Sequence, residues 1–202
     1  MLSYQHAYHA GNLADVHKHA LLSVALDYLA RKDKPLSYIE THAGRGLYDL
    51  SGPEASRTGE AAQGIGAAAG WFGADHPYAR ALAACRARHG DAAYPGSPLI
   101  ARTLLRETDR LHLAELHPAE HAALASNLRA PNVTVHRRDG LALAASLCPP
   151  TPRRGVLLID PSWEVKDDYA ALPRRIRQIA RTWNVGMIVL WYPILRDAVH
   201  LP

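Results

Sequence analysis

The chain has 202 residues, of which 48% are hydrophobic and 21% are charged. This length and composition are typical of one folded α/β domain and exclude a disordered chain. No stretch reaches the roughly 20 apolar residues of a membrane span, and we expect no secretory signal. The formal net charge of +4 favours a polyanionic partner, and arginines cluster at Arg137-Arg138, Arg153-Arg154 and Arg174-Arg175-x-Arg177. Cys85 and Cys148 lie in no metal-ligand spacing, so we expect a reduced, cytoplasmic protein.

The hydrophobic pattern predicts the following elements in chain order. A polar, histidine-rich segment over 4–19 leads into a helix that ends before Lys34-Pro35, and a strand over 36–41 ends in a glycine turn. Residues 51–95 predict a small helical insertion, with helices near 60–72 and 77–89. Ser97 before Pro98 indicates the start of a helix that runs to about 106. Strands over 111–117, 132–138, 155–160 and 186–191 then alternate with helices over 118–128, 140–147 and 168–182. This alternation predicts a Rossmann-like, mostly parallel sheet in a single domain over 1–202.

A carboxylate or a glycine turn follows each of the first four sheet strands. The turn His42–Gly46 follows the first, and Glu115, Asp139-Gly140 and Asp160 follow the next three. Each alone is ordinarily a helix cap or a turn former, but all four at one sheet edge predict a ligand site, since ligands bind beyond the carboxyl ends of parallel strands. Glu115 is suited to accept hydrogen bonds from two ribose hydroxyls. An acid of this kind ordinarily follows the turn by about 20 residues, and the insertion at 51–95 accounts for the longer separation.

The sequence Asp160-Pro161-Ser162-Trp163 is the sharpest chemical signal in the chain. The lone pair of an adenine amine is delocalised into the ring, so the amine is a poor nucleophile. A carboxylate and a backbone carbonyl that both accept from this NH2 favour a tetrahedral nitrogen whose lone pair faces a methyl donor. An aromatic side chain three residues after the acid is placed to stack on an extruded base. The alternative is a simple strand-end turn with a tryptophan in the core.

Several segments together resemble the RlmJ-type 23S ribosomal RNA adenine-N6 methyltransferases. Asp160–Trp163 is similar to the Asp-Pro-Pro-aromatic motif of methyltransferases that act on nucleobase amines. The wider resemblance covers nearly the whole chain and rests on Met1–His19, Asp33–Pro35, Thr41–Gly46, Arg57–Glu60, Tyr94–Arg102, Glu115–Pro118 and Leu190–Pro193.

The resemblance implies a methyltransferase domain with S-adenosylmethionine as donor and adenosine 2030 of 23S rRNA as acceptor. It implies a substrate and cofactor segment over 1–35. By matching positions, the cofactor residues would be His19, His42, Gly44, Ser97, Glu115, Asp139, Gly140 and Asp160. Asp160, Pro161 and Trp163 would be catalytic, and Tyr4, His6 and Lys18 would contact the RNA.

The chain departs from the family pattern in two places. Ser162 stands where the family ordinarily has proline, which loosens the turn and predicts a slower reaction. The sequence ends at Pro202, soon after the fifth predicted strand, whereas family members continue through further strands. We therefore expect an exposed apolar sheet edge, in a monomer that can associate through that edge.

Three other functions are compatible with parts of the sequence. His6, His9, His17, His19 and His42 suggest a metal site, but their spacing matches no metal-binding motif, and we expect no metal. A DNA adenine methyltransferase or a protein of DNA utilisation is a second alternative. A non-catalytic RNA-binding relative is the third, given Ser162 and the shorter chain.

Overall fold

The computed structural model describes residues 5–163 and 167–193, with the backbone alone for 167–169. Its strands are β1 (Ser37–Glu40), β2 (Leu47–Asp49), β3 (Ala93–Pro95), β4 (Arg110–Ala114), β5 (Val133–His136), β6 (Gly155–Ile159) and β7 (Met187–Leu190). Its α-helices are α1 (Leu13–Ala30), α2 (Pro53–Thr58), α3 (Pro77–His89), α4 (Ser97–Leu104), α5 (Pro118–Asn127), α6 (Gly140–Leu147) and α7 (Asp167–Thr182). None of the helices in these two ranges is long and apolar enough to span a membrane.

The main sheet confirms the predicted Rossmann-like α/β architecture. Its five parallel strands lie in the order β5-β4-β1-β6-β7. The chain builds outward from β1 to one side through β4 and then to the other through β6. The carboxyl end of β1 is therefore a topological switch point, where open α/β sheets bind their ligands. In the described part of the chain, β7 pairs only with β6 and forms an edge of the sheet.

Successive residues of the central strands pack into two different cores. Tyr38 and Leu158 point to one face, which α1, α4 and α5 cover, while Ile39 and Leu157 point to the other, which α6 and α7 cover. Side chains of a strand alternate between the faces of its sheet, so a strand covered on both sides must be apolar throughout. This explains why all five residues of β6 are buried and apolar.

Two predicted helix starts were wrong. The helix α1 begins at Leu13, inside the segment predicted as a polar lead, because the Asn12 side chain accepts a hydrogen bond from Asp15 N at 2.9 Å and caps it. Ser97 does not cap α4, since Gly96 takes that position and Ser97 is the first helical residue. The Ser97 hydroxyl donates instead to the Glu40 carboxylate.

The region 51–95 differs in detail from the predicted insertion. The helical stretch predicted near 60–72 is present but irregular, because a π-helical turn at Ala62–Gly66 and a 3-10 turn at Ala69–Trp71 interrupt the α-helical geometry. The backbone leaves helical geometry at Gly64, where a Cβ would lie 2.0 Å from the Gly11 carbonyl oxygen. The sequence also gave no sign of α2 or of the antiparallel pair β2–β3, which are too short to show periodicity. β1 and β4 precede and follow this region in the chain and pair directly with each other, so the region does not interrupt the sheet.

Candidate active site

A cavity of about 420 Å³ opens at the carboxyl ends of β1, β4 and β6. This volume is within the range of small-molecule and cofactor sites. The turns after these three strands form one side of the cavity, and the N-terminal half of α1 forms another. The cavity therefore lies at the topological switch point of the sheet.

The structure brings nearly all the predicted site residues to this cavity. Its lining includes all eight predicted cofactor residues, His19, His42, Gly44, Ser97, Glu115, Asp139, Gly140 and Asp160. It also includes Pro161, Trp163, His6 and Lys18, which the sequence assigned to catalysis or to RNA. Tyr4 lies outside the described residues.

Glu115 and the glycine turn form a cradle across two strands. Glu115 Oε2 accepts from Gly44 N at 2.9 Å, and Oε1 accepts from His117 N at 2.7 Å. An ionised carboxylate has about four lone-pair positions, so each oxygen keeps one for a further donor. Gly44 has a φ of +60°, and a Cβ there would lie 2.5 Å from the Tyr48 hydroxyl. This arrangement suits a diol such as the two hydroxyls of a ribose.

The first turn of α6 lies directly against the end of β1. Asp139 caps the helix by accepting from Ala142 N at 2.6 Å. A Cβ on Gly140 would lie 1.9 Å from the Thr41 carbonyl oxygen, so only glycine permits this approach. The helix start and the glycine turn therefore form one continuous wall of backbone beside Glu115.

Lys18 joins two carboxylates at the floor of the cavity. Its Nζ lies 2.6 Å from Asp160 Oδ2 and 3.1 Å from Asp15 Oδ1. The side chains of Lys18 and Asp15 are buried, with 8% and 2% of their surface exposed, and that of Asp160 has 17% exposed. Burial by itself lowers the Lys18 pKa, but the two carboxylates, Asp160 foremost, raise it well above its ordinary value. The ammonium is therefore fully charged and fixes Asp160 in position.

Asp15 is the second anchor of Lys18, and the sequence reasoning missed it. Its Oδ2 accepts from Gly11 N at 3.0 Å and lies 2.8 Å from His6 Nε2. Burial by itself raises the Asp15 pKa, but the nearby His6, Lys18 and His19 hold it well below its ordinary value. A short polar residue near a helix start ordinarily reads as a cap, so the sequence offered no reason to place it in the cavity.

Glu40 is a fully buried carboxyl group behind the cavity wall, and it was also missed. It accepts from the Ser97 hydroxyl at 2.5 Å and from the Tyr38 hydroxyl at 2.8 Å. Burial raises the pKa of Glu40 to about 8, against the effect of these two hydrogen bonds. A carboxylate inside a completely buried strand is the signal that could have revealed it.

His19 is a neutral ring held between the cavity and the buried side chains of Tyr78 and Tyr94. Its Nδ1 lies 2.9 Å from the Tyr94 hydroxyl, and 1% of its side chain is exposed. Burial lowers the pKa of His19 to about 3, although Asp15 opposes the shift. The ring is therefore uncharged at neutral pH.

The turn Asp160–Trp163 combines a core contact with a cavity contact. Trp163 has a φ of +60°, which is unusual for a bulky residue and marks local strain. Its indole Nε1 donates to the Trp191 carbonyl at 3.1 Å, and its ring packs beside the buried core around Ile159. The same side chain lines the cavity, so the core and cavity interpretations of Trp163 both apply.

Further polar and aromatic residues complete the wall without having been predicted. They are Asn12, Tyr48, His117, Glu120 and Trp191. Glu120 binds the Arg45 guanidinium in a bidentate pair, with distances of 2.6 and 2.9 Å. Within residues 5–163 and 167–193, no group of three or more His, Cys, Asp or Glu is arranged to hold a metal ion.

Comparison with known proteins gives consistent matches. The family model described as "Ribosomal RNA large subunit methyltransferase D, RlmJ" matches residues 33–200. Ribosomal RNA large subunit methyltransferase J of Escherichia coli is 42% identical over 201 residues, and that of Haemophilus influenzae is 40% identical over 204 residues. Each alignment covers 96% of this chain and 71% of the relative. The crystal structure of protein LPL1258 from Legionella pneumophila is similar with a TM-score of 0.82 and 37% identity, over 94% of this chain and 71% of that one.

Proposed function

Because this chain belongs to the RlmJ family of ribosomal RNA methyltransferases, we propose that it methylates the N6 amine of an adenine in 23S rRNA, with S-adenosylmethionine as donor. The observation that carries the proposal is the place of Asp160. Its carboxylate lines the same cavity as the Glu115 cradle, so an acceptor for an amine lies beside a site suited to a nucleoside. The resemblance implies adenosine 2030 as the target.

The residues present fit the cofactor. The remaining lone pairs of Glu115 would accept the two ribose hydroxyls, and the wall formed by Asp139 and Gly140 would hold the adenine. His42 and Ser97 would bind the amino-acid end. When bound, S-adenosylmethionine supplies an electrophilic methyl group on a positively charged sulfur.

The acceptor adenine is held by the turn after β6. Lys18 binds Asp160 Oδ2, and we assign the other oxygen, Oδ1, to the target amine. The Pro161 carbonyl would accept the second amine hydrogen, and the Trp163 ring would stack on the base. The amine would act as a neutral nucleophile, and the surplus proton of the methylated amine would pass to the Asp160 carboxylate or to water afterwards. Positioning and electrostatics therefore supply most of the rate acceleration.

Calorimetric titration with S-adenosylmethionine tests the cofactor site. Glu115→Ala removes a charged acceptor, so the dissociation constant should rise by about 10- to 100-fold, which corresponds to roughly 1.5–3 kcal/mol. Glu107→Ala is the matched control, because Glu107 is exposed and precedes β4 at the opposite edge of the sheet. Equal affinity for wild type and Glu115→Ala would contradict the assignment.

Transfer of a radiolabelled methyl group tests the acceptor site. Wild type should methylate unmodified 23S rRNA, and Asp160→Asn should lose nearly all transfer while retaining most of its cofactor affinity. Transfer to adenine-containing DNA in preference to rRNA would establish the DNA alternative. Cofactor binding without any methyl transfer would indicate that the protein is a non-catalytic RNA-binding relative of the family.

A further inference from the structure

Helix α7 carries a row of arginines on its outer side. Arg174, Arg177 and Arg181 recur at helical spacing, and all three are exposed. Leu172 and Ile179 of the same helix are buried against the sheet, and the arginines lie on the side opposite to them. We propose that this arginine face, defined by Arg174, Arg177 and Arg181, binds the phosphate backbone of the RNA strand that flanks the target nucleotide.

Half of the formal net charge of the chain comes from α7. With Arg175, the helix holds four of the 23 basic residues, and its first two residues, Asp167 and Asp168, are acidic, so the helix contributes +2 of the net +4. No acidic residue occurs between 170 and 182 to offset them. Arginines at these spacings repel one another along a helix face. An external polyanion would relieve this repulsion, whereas an ordinary solvated face mixes both signs of charge.

The arginine face leads to the rim of the cavity. Arg175, on the flank of α7, has its Nη1 3.9 Å from Asp139 Oδ1, and Asp139 lines the cavity. Arg137 and Arg138 are exposed and directly precede Asp139 at the end of β5. At 1.5 Å per residue, the row from Arg174 to Arg181 is about 10 Å long, enough for more than one phosphate. A strand that places its base in the cavity can therefore continue over α7.

The location of this surface rests on the proposed function, but its binding can be measured separately. Each phosphate neutralised on single-stranded RNA contributes about 0.7 to the slope of log affinity against log salt concentration. Three arginines that each neutralise a phosphate therefore contribute about 2 to that slope. This prediction is specific, because a merely structural role would not change the salt dependence.

The experiment measures filter binding of a labelled, unmodified 23S rRNA transcript over a range of salt concentrations. The triple variant Arg174→Gln/Arg177→Gln/Arg181→Gln should bind about tenfold more weakly, and its slope should fall by about 2. Cofactor affinity by calorimetry should stay within twofold, which shows that the variant is folded. The variant with lysine at the same three positions should retain the wild-type slope.

The matched control is Arg88→Gln/Arg110→Gln/Arg129→Gln. It removes the same charge from three exposed arginines, of which Arg110 begins β4 and Arg129 precedes β5, on the other side of β1 from β6 and β7. Its slope should change by less than half as much as that of the arginine-face variant. Equal changes in the two variants would overturn the proposal, as would a wild type that does not bind the transcript. A wild type that binds through α7 but transfers no methyl group would support the surface and contradict the proposed function.

Discussion

The ion cluster Asp15–Lys18–Asp160 gives a prediction whose size follows from burial. Lys18→Met keeps most of the side-chain volume but removes the cation between two carboxylates. Breaking a buried ion pair by removing one partner ordinarily costs about 3–5 kcal/mol. Asp160 keeps some contact with water and Asp15 keeps His6, so the cost should lie at the lower end, about 3 kcal/mol. This is a large share of the roughly 5–15 kcal/mol that stabilises an ordinary domain.

Urea denaturation at neutral pH measures this cost. The second variant, Lys18→Met/Asp160→Asn, removes the repulsion between the carboxylates and should recover about 1–2 kcal/mol of the loss, within the range of couplings between contacting residues. The Asp15 pKa in the folded chain is lowered, so its contribution to stability is present above the ordinary pKa and is lost as the pH falls below it. The difference between wild type and Lys18→Met should therefore shrink below about pH 4. A loss under 1 kcal/mol at neutral pH, or strictly additive effects in the double variant, would show that Lys18 does not stabilise the two carboxylates.

Three further predictions concern groups packed around the cavity. Because the Glu40 pKa in the folded chain is raised to about 8, protonated Glu40 contributes to the free energy of unfolding. This contribution is fully present below the ordinary glutamate pKa and is lost as the pH rises to 8. Glu40→Gln should flatten that decline in pH-dependent urea midpoints, and an unchanged profile would show that the carboxyl group is ionised throughout. The His19 pKa of about 3 acts at lower pH, since stability falls as the pH drops from the ordinary histidine pKa towards 3. His19→Asn should lose less stability than wild type over this acidic pH range, and an equal loss in both proteins would contradict the neutral ring. Gly140→Ala should destabilise the fold by about 1–3 kcal/mol and weaken cofactor binding, because its Cβ would overlap the Thr41 carbonyl. Gly70→Ala is the control, with open space around its Cβ and an expected change under about 0.5 kcal/mol, so similar losses in both would exclude the packing explanation.

Much of the sheet could be predicted from the sequence because its strands are short apolar runs with clear ends. The polar groups that follow those ends, such as Glu115, Asp139 and Asp160, necessarily meet at one edge of a parallel sheet. The contact between Glu115 and Gly44 follows from the parallel pairing of β1 with β4, and the order of strands and turns in the sequence is enough to predict it.

The contacts that depend on how elements pack could not be predicted in this way. Lys18 reaches Asp160 because the N-terminal half of α1 extends to the carboxyl ends of the strands, and nothing in the hydrophobic pattern of α1 predicts that position. Ser97 binds Glu40 rather than capping α4, because Gly96 takes the N-cap position and the Ser97 hydroxyl donates to the buried carboxyl group of Glu40. Short elements such as α2 show no periodicity, so they were missed for a different reason.

Nucleoside analysis of the reaction product shows whether this protein methylates the N6 amine of adenine in 23S rRNA. Unmodified 23S rRNA would be incubated with the protein and methyl-labelled S-adenosylmethionine, digested to nucleosides, and analysed by mass spectrometry. N6-methyladenosine should be the labelled product with wild type, and almost none should form with Asp160→Asn. Label in a different nucleoside, or an equal yield from Asp160→Asn, would contradict this prediction.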